Sequence, residues 1–266
     1  MSTNAAAAPL PTVLITGAST GIGATYADRF ARRGHPLVLV ARDEVRLRAL
    51  AERLSREAGV MVDVLRADLT DATDLARVET RLQTDEDIGL LINNAGMAAP
   101  GTFAAPDLEV IDRLIRLNVT ALTRLTGAVV PRFVRAGRGA IVNLGSIVGL
   151  IPEIPFGAYG ATKAYVQSFS QTLQLELGPK GIYVQAVLPA ATRTEIWERS
   201  GRNVDSLPAV MEVEDLVDAA LVGFDRREPV TIPSLPDVGQ WEAFEAARKA
   251  MVPNLAQRRA AERYLR

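Results

Sequence analysis

Short runs of apolar, largely β-branched residues recur along this chain at Thr12–Thr16, Leu37–Val40, Val60–Leu65, Leu90–Asn93, Ala140–Leu144, Tyr183–Leu188 and Pro229–Ile232. Between them lie segments whose apolar positions repeat at the helical period. The runs are nearly continuous rather than alternating, which is the pattern of strands covered on both faces. Strand, helix and strand in succession require parallel pairing, because each crossover carries the chain back over one face of the sheet with a right-handed sense. The expected fold class is therefore α/β: a doubly wound sheet of about seven parallel strands between helical layers. With 266 residues the chain suits a single domain over 11–266, preceded by a loose Ala-rich tail over 1–10. The end, 237–266, reads as helical, with Trp241, Phe244, Met251 and Leu255 on an apolar stripe suited to packing or to contact with another subunit.

Charge and composition remove several functions. Thirty basic residues stand against thirty-one acidic ones with no basic block, so neither nucleic acid nor a membrane surface is an expected partner. The absence of cysteine excludes disulfide and thiol chemistry, and a single histidine, His35, leaves no His/Cys ligand set for zinc; no metal is expected. The opening segment carries no basic n-region, and the longest apolar stretch, Ala140 to Tyr159, is broken by Pro152, Glu153 and Pro155. A cytoplasmic protein is expected.

The first strand runs straight into Gly17-Ala-Ser-Thr-Gly21-Ile-Gly23, followed by a helix. A strand that turns into a helix through small residues lets backbone N–H groups and the positive helix end meet a pyrophosphate. Gly17 would make the turn, Gly21 would permit contact and Gly23 would let helix and strand pack closely. The alternatives are a flexible turn without a ligand and the nucleophile elbow of a serine hydrolase, since Gly17-Ala-Ser19-Thr-Gly21 also fits that pattern. The hydrolase needs an imidazole late in the chain, whereas His35 follows the first helix.

Tyr159 and Lys163 are four residues apart in a segment of helical period and so point from one face. A free phenol has a pKa near ~10 and is a poor base; a neighbouring ammonium is expected to favour the phenolate. The alternative is a core tyrosine beside a snorkelling lysine.

Taken in order, Thr16-Gly-x-x-x-Gly-Ile-Gly23, Asn93-Asn-Ala-Gly96, Asn118, Ser146 and Tyr159-x-x-x-Lys163 resemble the successive signatures of the short-chain dehydrogenase/reductase family across residues 11–235. The resemblance implies a Rossmann-like fold and an oxidoreductase that interconverts a carbonyl and an alcohol by hydride transfer. Tyr159 would be the general acid/base, Ser146 would hydrogen-bond the substrate oxygen, Lys163 would bind the nicotinamide ribose and Asn118 would hold a proton-relay water. Gly17, Ser19, Gly21, Ile22, Gly23, Asn94, Ala95, Gly96, Tyr159, Lys163, Pro189 and Thr194 would line the cofactor. Asp68 resembles the family's adenine-contacting acid, with a surface carboxylate as the alternative. By the same analogy the chain forms a homodimer or homotetramer through the helix that bears Tyr159.

The end of the second strand reads Val40-Ala41-Arg42-Asp43. Relatives that prefer NAD place an acid there for the ribose 2′-OH; Ala41 lacks it and Arg42 offers paired donors to a 2′-phosphate, so NADP(H) is the expected cofactor. Asp43, an acid beside that place, tempers this expectation; its other reading is the cap of the following helix. Substrate-bordering segments are Met97 to Pro100, Ile147 to Phe156 and Pro189 to Trp197, mostly apolar. Met97, Ile154, Phe156, Ile196 and Trp197, with Ser146 and Tyr159, are the candidate substrate residues, pointing to a small apolar ketone, aldehyde or secondary alcohol; packing is the other reading. The family's Pro-Gly before the substrate loop is Pro189-Ala190 here, and residues 190–210 are expected to form a lid. A function of another class, a catalytically silent dinucleotide sensor or scaffold, is disfavoured because all four catalytic positions carry competent side chains.

Overall fold

The structure, a computed structural model, describes residues 9–98, 103–201 and 203–265. Most of the expected tail, together with Ala99, Pro100 and Arg202 of the expected substrate segments, lies outside the described residues.

The apolar runs form β1 (Thr12–Thr16), β2 (Leu37–Ala41), β3 (Val62–Arg66), β4 (Ile88–Asn93), β5 (Gly139–Leu144), β6 (Ile182–Val187) and β7 (Val230–Thr231). They join in one seven-stranded sheet of order β3-β2-β1-β4-β5-β6-β7. Every pairing is parallel, with Ile15 opposite both Leu39 and Ile92, and Leu91 opposite Ile141. This is the doubly wound Rossmann-like arrangement, and its winding reverses between β1 and β4.

The period-two alternation of each strand divides the apolar residues between two cores. Val13, Ile15, Leu37, Leu39, Leu90, Ile92 and Val142 face one layer, built from α1 (Gly21–Arg32), α2 (Glu44–Ala58) and a later helix over Val213–Asp225. Leu14, Val38, Val40, Leu91, Ile141 and Val184 face the other, built from α3 (Ala72–Thr84), a helix over Leu122–Ala136 and a long helix over Gly157–Leu177. Tyr26 and Phe30 fill the first core and Phe133 the second, each essentially inaccessible to water. Burial on both faces explains the continuous apolar runs: each fully buried leucine or isoleucine contributes roughly 1.5–3 kcal/mol.

In chain order the remaining helices are α4 (Leu108–Ile115), α5 (Leu122–Ala136), α6 (Gly157–Leu177), α7 (Ile196–Arg199), α8 (Val213–Asp225), α9 (Val238–Ala250) and α10 (Val252–Leu255). Aspartates start several of them: Asp43 accepts from Arg46 N, Asp71 from Thr73 N and Asp74 N, and Asp107 from Glu109 N and Val110 N. Among the described residues no helix is long and apolar enough to cross a membrane.

The chain divides into two compact units, one ending at Pro233 and the other covering Ser234–Arg266, where a single domain to the C-terminus was expected. The second unit is helical, as the periodicity indicates: Asp237 caps α9, Trp241 stacks on Phe244 at 5.5 Å, and Glu245 pairs with Arg248. Phe244, Met251 and Leu255 are exposed.

Candidate active site

The glycine turn sits where the sheet's winding reverses. Gly17 and Gly21 hold φ of +66° and +54°, conformations that a side chain would strain. Gly23 packs under the turn: a Cβ there would collide with the Gly17 carbonyl oxygen and lie 2.5 Å from Asn94 Nδ2. Asn94 fixes the turn from the neighbouring strand, donating from Nδ2 to the carbonyls of Thr16 (2.9 Å) and Gly17 (3.1 Å). Thr16 Oγ1 accepts from Asn94 N and Ala95 N, both at 3.0 Å. Thr16, which opens the motif Thr16-Gly-x-x-x-Gly-Ile-Gly23, thus ties the turn to the segment after β4.

The start of α1 suits an anionic ligand. Thr20 occupies its N-cap without a side-chain cap bond and the first turn holds no acid, whereas Asp43, Asp71 and Asp107 fill that role at the next three helices. The amides of Gly21, Ile22 and Gly23 therefore present the positive end of the helix without a competing carboxylate. Ser19 lies in the turn just before them.

Asn118 is buried in a π-helical insertion, Arg116–Ala121, between α4 and α5. Such insertions re-aim a side chain within a helix. Its amide makes a two-way pair with Met97, accepting from Met97 N and donating to Met97 O, both at 2.9 Å, and also donates to Thr162 Oγ1 at 3.1 Å. Thr162 in turn donates to the Tyr159 carbonyl at 2.8 Å. Thr162 thus joins the Asn118 segment to the helix that bears Tyr159, a link without a marker in the sequence. Gly96 lies against the same cluster, since a Cβ there would fall 3.4 Å from Asn118 Oδ1 and 3.7 Å from Lys163 Nζ.

Ser146, Tyr159 and Lys163 meet at the C-terminal end of β5. Lys163 is buried and its Nζ donates to the carbonyl of Leu144, the last residue of β5, at 2.8 Å. The four-residue spacing brings the ammonium 5.6 Å from the Tyr159 ring centroid. Ser146 is buried, donates to Pro189 O at 3.2 Å and is hydrogen-bonded to the Tyr159 phenol.

The expected phenolate is not what this geometry favours. Burial raises the Tyr159 pKa to about 12, and the bond to Ser146 lowers it only in part. Burial also lowers Lys163 to about 8. The same low-dielectric site that would strengthen their attraction makes each charge costly, and desolvation dominates. Tyr159 is thus a neutral phenol at neutral pH, its proton held more tightly than that of a free tyrosine.

At the end of β2, Arg42 is exposed and its guanidinium lies 4.0 Å from Asp68. Of the two readings of Asp43 the helix cap is the one seen: its carboxylate accepts from Arg46 N at the start of α2. Asp68 stays below the ordinary carboxylate range: burial opposes this, but bonds from Thr70 and the charges of Arg42 and Arg113 outweigh it. Arg113 reaches Asp68 from α4 at 3.4 Å.

The chain after β6 returns to the glycine turn. Pro189 O accepts from Ile147 N and Ser146 Oγ, and Thr194 lies over the glycine turn, its Cγ2 3.3 Å from where a Gly21 Cβ would be. Trp197 donates from Nε1 to Thr192 O at 2.7 Å. Of the candidate substrate residues, Met97 is joined to Asn118 and Phe156 lies 5.9 Å from the Tyr159 ring, while Ile196 and Trp197 sit on α7. Ile154 is 39% exposed in the segment before α6. Among the described residues no group of three or more acidic or imidazole side chains could hold a metal ion.

A family model described as short chain dehydrogenase matches residues 11–205. A solved structure of a short-chain dehydrogenase from Sphingobium yanoikuyae in complex with NADPH is 65% identical, covering 96% of this chain and all of that one at a TM-score of 0.95. A bulky-bulky ketone specific alcohol dehydrogenase from Comamonas testosteroni is 57% identical, covering 97% of this chain and all of that one at a TM-score of 0.91. The very-long-chain 3-oxoacyl-CoA reductase of Rattus norvegicus is 35% identical over 187 residues, 69% of this chain; the match spans 60% of that relative's length.

Proposed function

Because the chain belongs to the short-chain dehydrogenase/reductase family, we propose that it is an NADP(H)-dependent oxidoreductase interconverting a small apolar ketone or aldehyde and its alcohol. The observation that carries this reading is the convergence of Ser146, Tyr159 and Lys163 at the end of β5, beside the glycine turn.

The glycine turn and the uncapped start of α1 would hold the pyrophosphate, Asp68 the adenine and Lys163 the nicotinamide ribose. Asn94 acts through the turn it braces. When bound, the nicotinamide supplies or accepts the hydride. The remaining work belongs to side chains. Tyr159 Oη gives its proton to the carbonyl oxygen during reduction, and Ser146 Oγ steadies that oxygen as negative charge develops. In the opposite direction the phenol must accept a proton, and the Lys163 ammonium is the charge beside it that favours the resulting phenolate. Asn118 Oδ1 has one lone pair left after Met97 N and can hold a water that resupplies the proton. Loop 190–198 would cover the substrate and exclude bulk water.

Support for the 2′-phosphate comes from Ala41, which carries no carboxylate, from Asp43, which is engaged in capping α2, and from the NADPH complex of the similar Sphingobium protein. Arg42→Ala is expected to weaken NADPH binding by about 10–100-fold, the effect of losing a charge-assisted hydrogen bond, and to leave NADH binding almost unchanged. Fluorescence titration of both cofactors checks this; equal losses for the two would refute the role of Arg42.

Met97, Phe156, Ile196 and Trp197 support an apolar substrate, as does the ketone named for the Comamonas relative. A panel of carbonyl compounds followed by NADPH absorbance is expected to show turnover of apolar ketones or aldehydes. Turnover confined to polyhydroxylated or strongly anionic compounds would reject this substrate class. Assembly as a homodimer or homotetramer, and a cytoplasmic location, belong to the same reading; light scattering tests the assembly.

A further inference from the structure

We propose that an ion pair between Arg46 and Glu195 latches the loop after β6 across the dinucleotide crevice, so that this pair, remote from the reacting atoms, governs cofactor release. The inference rests on the cofactor reading above.

The loop has a fixed base. Thr192 bridges to Met211, Arg193 N and Met211 N bond across the same junction, and the Arg193 guanidinium pairs with Asp205 and Glu212. From that base Thr194 passes over Gly21, at the start of α1. The next residue, Glu195, extends to the other side of the crevice: one nitrogen of the Arg46 guanidinium lies 2.8 and 3.0 Å from its two carboxylate oxygens. Arg46 is held in turn from below, its Nε 3.3 Å from Asp43, the residue that caps α2. The contact thus joins a loop on the β6 side of the sheet to the first turn of α2, with the glycine turn between them. A dinucleotide lying along that turn would be beneath the loop, and its departure would require the Arg46–Glu195 contact to open.

Both side chains are partly exposed, at 49% and 37%. Water and salt therefore screen the pair, which makes it a weak fastener suited to repeated opening. Arg46 and Glu195 act by positioning the loop; neither is placed on substrate or cofactor.

Two measurements separate the latch from the reading beneath it. In the free protein, hydrogen exchange of amides 191–198 is expected to accelerate in Glu195→Gln and to return to the wild-type rate in the charge-swapped Arg46→Glu/Glu195→Arg double variant. This readout needs no cofactor. In stopped-flow displacement of NADPH, Glu195→Gln and Arg46→Gln are each expected to speed dissociation about 3-fold, the effect of an exposed ion pair of ordinary strength. Raised ionic strength should speed release from the wild type more than from the neutral variants, since the Arg42 contact to the 2′-phosphate is screened in all of them. Unchanged exchange and unchanged release in the single variants, or a swapped variant as fast as they are, would overturn the latch while NADPH binding by the wild type upheld the cofactor reading. A wild-type chain that bound no NADPH would overturn that reading and, with it, the proposed role in release.

Discussion

Tyr159→Phe is expected to lower kcat/KM by about 10²–10⁴-fold, the span of a general acid's contribution, with NADPH affinity changed no more than a few-fold. The substitution removes one oxygen and leaves the ring that packs 5.9 Å from Phe156, so the helix and its neighbours keep their places. Because burial holds the phenol near pKa 12 against the partial opposition of Ser146, its proton is fully in place at neutral pH. Phenylalanine has none to give, and the Lys163 ammonium beside it is engaged with Leu144 O. Single-turnover reduction read alongside cofactor titration separates chemistry from binding. Turnover near the wild-type rate would remove Tyr159 from the proposed mechanism.

Lys163→Met is expected to abolish most turnover, by about 10²-fold or more, yet to stabilise the folded chain at neutral pH. The two effects share one cause. Burial brings the ammonium pKa from 10.5 to about 8, so unfolding takes up a proton between those values. The wild type is therefore at its greatest disadvantage below pH 8, recovers stability as pH rises through that window, and carries no penalty above 10.5. A shift of this size corresponds to about 3 kcal/mol, against about 1 kcal/mol for the unsatisfied Leu144 carbonyl that methionine would leave. The variant's advantage should be about 2 kcal/mol below pH 8 and vanish, or reverse, above pH 10.5; chemical denaturation at several pH values measures it. Below pH 10 Tyr159 adds little to the comparison, being protonated in both chains whether folded or unfolded. A variant less stable than the wild type at pH 7 would contradict a strained, buried ammonium at this position.

Much of the architecture was legible because its causes are local. Continuous apolar runs reflect strands buried on both faces, and Asp43 sits where α2 begins because a carboxylate can satisfy the first free amides. Gly17 and Gly21 announced a turn whose positive φ they do adopt. Strand ends were less legible: β4 begins at Ile88, before the apolar run read at Leu90, because ladder pairing with Thr12 extends it through Gly89. Thr162, which ties Asn118 to the Tyr159 helix, and the π-helical turn that presents Asn118 leave no periodic trace, since both are answers to neighbours far along the chain.

The same division separates the spacing of the site from its protonation. Four residues along one helix are enough to bring Tyr159 and Lys163 together, and the sequence carried that geometry, the layer order and the turn that can receive a phosphate. It did not carry the outcome of burial. The phenol's high pKa and the amine's low one arise from strands, turns and loops that enclose them, and desolvation depends on everything that excludes water from a site. Nor did it carry the Arg46–Glu195 contact, whose partners are 149 residues apart and meet only because the parallel sheet brings the ends of β2 and β6 to one edge. Local pattern selects elements and their faces; tertiary enclosure decides which charges survive there and which distant loops touch.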